Sequence, residues 1–373
     1  MKIVFVDDLI YAYATDAPSA VGGAERQQWF LARALAAAGW VVTVGVRNAL
    51  AFNQRVVIEG VEFVGMGQKQ FLRAWYGFLA SERPDWSYWR CASHLLGPLV
   101  AIAKIMGVTT IFAAAFDRNV DIRHALIWRR HWWPLYALGL LWTDRIFLQN
   151  EKQLLGLPAR LRGKASIVPS MNPETPTPKP HSLRAKTVAW VAMLRESKRP
   201  DLLIEIARRA PDIQFVVCGG ATTHTAVPGY GEQFVEILRT LPNVEYRGQV
   251  PPGEATRVIA DAALLLSSAD EEGFPNTFLQ AWAAGTPVVS LKVDPDHIVE
   301  RHGLGKISLT AEQAVGDIRL LLASGQEREA ISRRAREYVA KKHSAQAVVS
   351  VFEWCTRGGS HERAVQSRAA RPL

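Results

Sequence analysis

Between residues 271 and 290 the chain reads EEGFPNTFLQAWAAGTPVVS. A carboxylate, Glu272, stands before a turn-prone run of Gly273, Phe274, Pro275 and Asn276. The apolar pattern that follows predicts a helix over 277–284, ended at Gly285. The flanking segments 263–266 and 288–291 read as buried strands, so the whole is a βαβ unit. Its loop delivers Gly273 and the peptide groups of Phe274, Asn276 and Thr277 to a helix N-terminus. N–H groups and the helix dipole there favour an anion, above all a phosphate. Glu272 stands where a carboxylate can accept hydrogen bonds from a polyol. Together these suit a sugar joined to a diphosphate. An ordinary strand-to-helix loop with an exposed acid accounts for the same spacing. Gln280 lies eight residues beyond Glu272, and Thr277 with Gln280 has the form of a capping box.

Such a site needs elements to position it. Strand and helix patterns alternate along the chain, which argues for parallel sheets covered by helices. In the first half, strands are expected at 2–6, 41–46, 61–64, 109–113, 145–148 and 166–168. A loop is expected over 7–23, and Gly22-Gly23 opens a helix over 24–38. The run 172–180 carries four prolines and reads as an extended connector. After it come strands at 187–191, 214–218, 244–246 and 263–266, with helices at 201–210, 232–239 and 254–261. Helices at 311–323, 326–342 and 345–357 follow. The expected division is a Rossmann-like domain over 1–172, a second over 173–344, a closing helix over 345–357 and a disordered basic tail over 358–373. Two open α/β sheets joined by a hinge imply a cleft, with ligands outside the carboxyl ends of the strands. The loops that follow strands are therefore the candidates, including 192–200 with Arg195 and Lys198, and 219–231 opening at Gly219.

Composition narrows the classes. The 373 residues are 49% hydrophobic and 21% charged, as in a folded globular protein. Cys91, Cys218 and Cys355 are scattered, without metal or disulfide spacing, which points to a reducing compartment. The N-terminal run is too short and too acidic for a signal peptide. No zinc-finger spacing or aromatic RNA-binding signature accompanies the net charge of +9, so nucleic acid is not the expected partner. Anionic substrates or an anionic membrane surface remain. The longest uncharged apolar runs, such as 132–143, are shorter than the ~20 residues a membrane span needs.

The 271–290 motif resembles the donor-site signature of the family 4 retaining glycosyltransferases, which have the GT-B fold of two Rossmann-like domains whose parallel sheets face a cleft. The resemblance implies that Glu272 contacts donor-sugar hydroxyls. A second glutamate usually follows the first after seven residues and holds the nucleotide ribose; here Gln280 occupies that position. Gly22-Gly23-Ala24-Glu25-Arg26 resembles the family's glycine loop near the donor phosphates. Residues 188–200 resemble the segment whose arginine and lysine hold the diphosphate. Lys198 matches the lysine, Met193 stands in place of the arginine, and Arg195 or Arg199 is the available substitute. Gly248-Gln249-Val250 resembles the turn whose backbone meets the base. Phe116 stands where many members carry a histidine, and the adjacent Asp117 is a catalytic candidate or a cap.

The implied reaction is front-face transfer without a protein nucleophile, in which the leaving phosphate oxygen takes the acceptor proton. Catalysis is then positioning and stabilisation of the departing diphosphate, chiefly by Lys198, the 277 helix N-terminus and the glycine loop. The expected donor is a UDP- or GDP-sugar and the acceptor a glycan or lipid-linked molecule, in surface polysaccharide or glycoconjugate synthesis. A catalytically weakened nucleotide-sugar-binding subunit, or another GT-B enzyme such as an epimerase or phosphorylase, is the alternative. No cofactor or essential metal is expected; Asp294-Pro295-Asp296 imitates a metal motif but reads as a turn into a helix. Two basic aromatic stretches, 69–76 and 127–136, suit an anionic membrane surface, or else pack their tryptophans in a core. In the second stretch Pro134 and Gly139 are expected to interrupt a long amphipathic helix. The expected location is cytoplasmic, at the inner face of the membrane.

Overall fold

A computed structural model describes residues 1–17, 22–68, 70–126, 129–174, 176–177, 179–222 and 227–358. Lys69, Ile127, Trp128, Thr175, Pro178, residues 223–226 of the candidate 219–231 loop and the tail beyond Gly358 lie outside the described residues. The chain divides into two compact units, residues 1–171 with the C-terminal segment from 345, and residues 172–344.

The first unit contains strands β1 (Lys2–Val6), β2 (Val41–Val46), β3 (Arg55–Ile58), β4 (Val61–Gly65), β5 (Trp86–Arg90), β6 (Thr109–Ala113), β7 (Arg145–Leu148) and β8 (Ala165–Ile167). Its helices are α1 (Asp8–Ala14), α2 (Gly23–Ala37), α3 (Phe71–Glu82), α4 (Leu96–Ile105), α5 (Trp133–Trp142), α6 (Glu151–Gly156) and α7 (Ala159–Arg162). The strand order is β3-β4-β2-β1-β5-β6-β7-β8. All pairs are parallel except β3 with β4. Such a sheet is covered on both faces, and its central strands read as continuous apolar runs. Ile3, Val4 and Phe5 of β1 are fully buried accordingly.

The second unit holds β9 (Ala185–Val191), β10 (Gln214–Cys218), β11 (Val244–Gly248), β12 (Ala262–Ser267), β13 (Val288–Ser290) and β14 (Gly305–Ile307). Its helices are α8 (Pro200–Arg209), α9 (Tyr230–Thr240), α10 (Pro252–Asp261), α11 (Asn276–Ala284), α12 (Ile298–Arg301), α13 (Ala311–Ala323) and α14 (Gly325–Lys342). The order is β11-β10-β9-β12-β13-β14, all parallel. Helix α15 (Ala345–Thr356) then returns to the first unit. Its Val348, Val349, Phe352 and Cys355 join the core that holds Phe5, Trp40 and Phe147.

Several expectations are corrected. The 7–23 segment is not all loop. Asp7 accepts a hydrogen bond from the Leu9 N–H and caps α1. Strands β3 and β5 replace segments without a strand assignment. Pro134 does not interrupt a helix; it sits in the first turn of α5, where its missing N–H costs nothing. Gly139 lies inside α5 because α4 packs so close that a Cβ there would meet Leu96 and Gly97. The Thr277–Gln280 capping box is also absent: α11 begins at Asn276 without a side-chain cap. Among the described residues no helix is long and apolar enough to cross a membrane.

Candidate functional site

The candidate donor residues of the second unit collect on four loops at the carboxyl end of its sheet, after β9, β10, β11 and β12, and on helix α11. The β9 and β10 ends are held unusually close. Gly219 has φ +150°, and any Cβ there would collide with the Ala192 carbonyl. Three hydrogen bonds continue the contact, Ala192 N–H to Cys218, Leu194 N–H to Gly220, and Gly219 N–H to Gly248 at the end of β11. Gly248 itself has φ +69°, and the turn it makes brings half-buried Val250 against the core beneath α11.

The β9 loop then forms a short 3-10 turn over Glu196–Lys198. It is tied to the β12 loop through the backbone. Ser268 donates its hydroxyl to the Lys198 carbonyl at 2.7 Å and accepts from Trp190 Nε1 at 2.9 Å, while Asp270 N–H donates to Ser197. Trp190 and Ser268 are buried, so this relay fixes where the Lys198 side chain starts. The Lys198 ammonium reaches the Glu272 carboxylate in direct contact, both side chains being largely buried. Burial, and then the nearby Arg195 cation, pull the Lys198 ammonium down to about 7. The Glu272 contact works in the opposite sense.

Arg199 is committed elsewhere. Its guanidinium binds Asp201 and Asp270, and these two carboxylates hold its charge in place. Of the two arginines proposed to replace the one missing at Met193, Arg195 is therefore the one that acts on Lys198.

Beyond Glu272 the loop descends into the core. Phe274 is buried, 5.0 Å from the His343 ring and edge-on to Trp282 at 6.3 Å. Gly273 and Pro275 are buried with it, and Asn276 and Thr277, half-buried, open α11. The α11 N-terminus thus points from a rigid anchor. Gln280 is buried, and its Nε2 donates to the Thr256 hydroxyl of α10 at 2.7 Å. Thr256, Ser268 and Asp270 carry no signal in sequence spacing. Each becomes significant only when the topology brings α10 beside α11 and β12 beside β9.

Gly22, Gly23 and Asp117 belong to the first unit. Gly22 has φ +97° and precedes α2, and a side chain there would strike the Glu25 carboxylate. Asp117 begins a 3-10 turn after β6 and accepts from Asn150 and Gln153, both at 3.2 Å, with Lys152 2.7 Å away. That set of contacts is an anchor for α6, which is the cap-like alternative for this residue. Phe116 precedes it, half-buried.

Asp294, His297 and Glu300 bring one ligand atom each within 4.8 Å of one another. The Asp294 carboxylate already accepts from the Val299 and Glu300 N–H groups, as a turn into α12 requires.

The model of the family "Glycosyl transferases group 1" matches residues 172–338, nearly the whole second unit. Residues 172–338 form a group 1 glycosyl transferase domain. D-inositol 3-phosphate glycosyltransferases are among the similar proteins. That of Mycolicibacterium smegmatis is 25% identical over 257 residues, covering 64% of this chain and 59% of the relative. That of Corynebacterium aurimucosum is 32% identical over 117 residues, covering 30% of this chain. The chain spans only 28% of the length of that second relative. Among solved structures, sucrose-phosphate synthase from Thermosynechococcus elongatus is similar over 96% of this chain and 98% of its own, with TM-score 0.72 and 14% identity. Anabaena HepE in complex with UDP-glucose covers the same shares at TM-score 0.70 and 14% identity. At such identity the likeness carries the fold, and this chain has the GT-B fold, with two Rossmann-like units.

Proposed function

We propose that this protein is a retaining hexosyltransferase that moves a sugar from a UDP- or GDP-linked donor to a glycan, glycolipid or other acceptor in surface-polysaccharide or glycoconjugate synthesis. The observation that carries the reading is the buried Lys198, paired with Glu272 and beside Arg195, at the carboxyl edge of the second sheet. Burial and the nearby Arg195 disfavour the charged form of Lys198, and a further anion in the loop would favour it. A donor diphosphate is such an anion. On its arrival Lys198 would turn from Glu272 to a phosphate oxygen, and Glu272 would be released to accept from sugar hydroxyls. The similar HepE was solved in complex with UDP-glucose, which favours a uridine donor.

In the proposed transfer the bond from the anomeric carbon to phosphate oxygen breaks, and the acceptor oxygen bonds to the same face of that carbon. The acceptor proton passes to the departing phosphate oxygen. Lys198, Arg195 and the α11 N-terminus at Asn276 and Thr277 would stabilise the diphosphate. Glu272 and Gln280 would hold sugar and ribose, and Val250 would lie at the base. The proposal includes no metal, so a chelator should leave turnover unchanged.

A nucleotide-sugar-binding subunit without turnover is the second reading. It is favoured by the absence of an arginine at Met193 and by the diversion of Arg199 to Asp201 and Asp270. Thermal-shift screening of UDP-, GDP- and ADP-sugars separates donors, because a ligand at ~100 times its Kd adds about 2.7 kcal/mol. Release of nucleoside diphosphate from the stabilising donor, accelerated by an acceptor extract, supports transfer. Binding without any turnover supports the second reading, and no stabilisation by any of them defeats both.

A further inference from the structure

Helix α5 carries no charged residue, yet much of it faces outward. Pro134, Leu138, Leu141 and Trp142 are exposed at positions i, i+4, i+7 and i+8, which is one stripe of a helix. Trp132 and Trp133, at the start of the helix, are 41% and 37% exposed. Only Tyr136, Gly139 and Leu140 are buried. The opposite face is pinned to α4 at Gly97 and Gly139, so the exposed stripe cannot turn inward.

Cations stand at both ends of this apolar stripe. Arg129, Arg130 and His131 precede it and are exposed. Arg129 donates to His94, whose ring lies 6.2 Å from Trp132. Arg123 lies 5.8 Å over the Trp133 ring, and Arg160 lines the same cleft beside Trp133. At the far end Lys164 donates to the Leu141 and Thr143 carbonyls, and Lys104 lies on Asp144. Asp121 also lines the cleft and is paired with His124.

We infer that α5 is a membrane-docking helix that lies in the plane of an anionic lipid surface. Its stripe of Leu138, Leu141 and Trp142 enters the boundary between headgroups and acyl chains, where tryptophan is favoured. The flanking arginines Arg123, Arg129, Arg130 and Arg160 meet lipid phosphates. A water-facing stripe of this kind, with three tryptophans, has no stabilising role in an isolated soluble unit. The arrangement of cations only at the rim, with none inside, matches a headgroup layer above an apolar one. The inference stands on the first unit alone and is independent of the donor-site reading.

The test is sedimentation of the full chain with vesicles of phosphatidylcholine, and of phosphatidylcholine mixed with phosphatidylglycerol. The protein should partition to the anionic vesicles, not to the neutral ones, and raised salt should release it. Trp132→Ser, Leu141→Ser and Trp142→Ser combined should abolish partitioning while melting temperature and nucleotide-sugar binding stay as in the parent. Arg129→Gln and Arg130→Gln should each weaken it about five-fold. Partitioning by the combined variant equal to the parent's, or none by the parent, overturns the inference. So does a parent that dimerises without vesicles through a contact the combined variant loses, since α5 would then face a second copy.

Discussion

At the scale of single residues, the Lys198–Glu272 pair decides most. Lys198→Ala should cost nucleoside-diphosphate affinity roughly 1.5–3 kcal/mol, the range for a charge-assisted hydrogen bond. Unchanged affinity by calorimetry would reject its role. The pair also sets a pH dependence. In the free protein Lys198 is held near 7, and a bound diphosphate would raise it by adding negative charge. Affinity should therefore fall as pH rises above about 7, with net proton uptake on binding. Calorimetry in buffers of different ionisation enthalpy reads that uptake directly, and proton release would contradict the assignment. Gln280 poses a finer choice. The sequence offers a cap or a ribose contact, and the structure adds a hydrogen bond to Thr256 that neither anticipates. If Gln280 Oε1 serves the ribose while Nε2 is held by Thr256, then Thr256→Val should weaken nucleotide binding by about 0.5–1.5 kcal/mol, like Gln280→Ala. A loss of apo stability in both variants, with nucleotide affinity kept, would make the pair a helix–helix clamp only.

At the scale of elements, the sequence discloses what local pattern dictates. The buried β7 is legible to the residue because Asp144 and Gln149-Asn150 bound its apolar run, and β6 because Gly107 precedes a β-branched and aromatic run. Helix α11 is legible because Gly285 stops it in the left-handed region, φ +75°. β3 escapes because it is an edge strand with alternating exposure, and Arg55 pairs with Glu62 and Glu82 rather than with a sequence neighbour. Helix α1 escapes because its only clear signal is the Asp7 cap. Tertiary contacts also hide His181 inside the second unit. Its Nε2 bonds to the Gly285 carbonyl at 3.0 Å at the end of α11, so the neutral ring donates there. Burial, and then Arg184, push its pKa from 6.5 down to about 4. The folded state binds the proton less readily than the unfolded chain does. The stability it supplies is therefore complete above 6.5 and is lost as pH falls through about 4, on the order of 3 kcal/mol. His181→Gln keeps a donor for Gly285 without titrating. Denaturant unfolding across that range should show a flatter acid limb for this variant, and an unchanged limb would exclude His181 as the cause.

At the scale of the whole molecule, the chain leaves the first unit at Met171 and re-enters it at Ala345. The proline-rich run announces the departure, but nothing in composition near 344 announces the return. Only packing shows which unit owns α15. Phe352 is fully buried, edge-on to Trp40 at 5.7 Å and to Phe147 at 5.4 Å. Trp40 Nε1 donates to Glu353 at 3.0 Å, and Arg145 Nε donates to the Cys355 carbonyl. The first unit therefore needs both ends of its sequence to close one core. Phe352→Ala should remove about 3–5 kcal/mol from that unit, the usual cost of deleting a buried phenyl ring. The second unit has its own core, built from residues such as Trp190, Phe215 and Leu264, none of which touches α15 in sequence or cluster. A donor nucleotide, bound through Lys198 as proposed, would mark it, because ligand binding raises only the transition of the unit that binds. Scanning calorimetry of Phe352→Ala with and without UDP should show a lowered transition that UDP does not move and a second that it raises as in the parent. If both transitions fall together, the two cores do not unfold as separate cooperative units, and the division of labour between them is wrong.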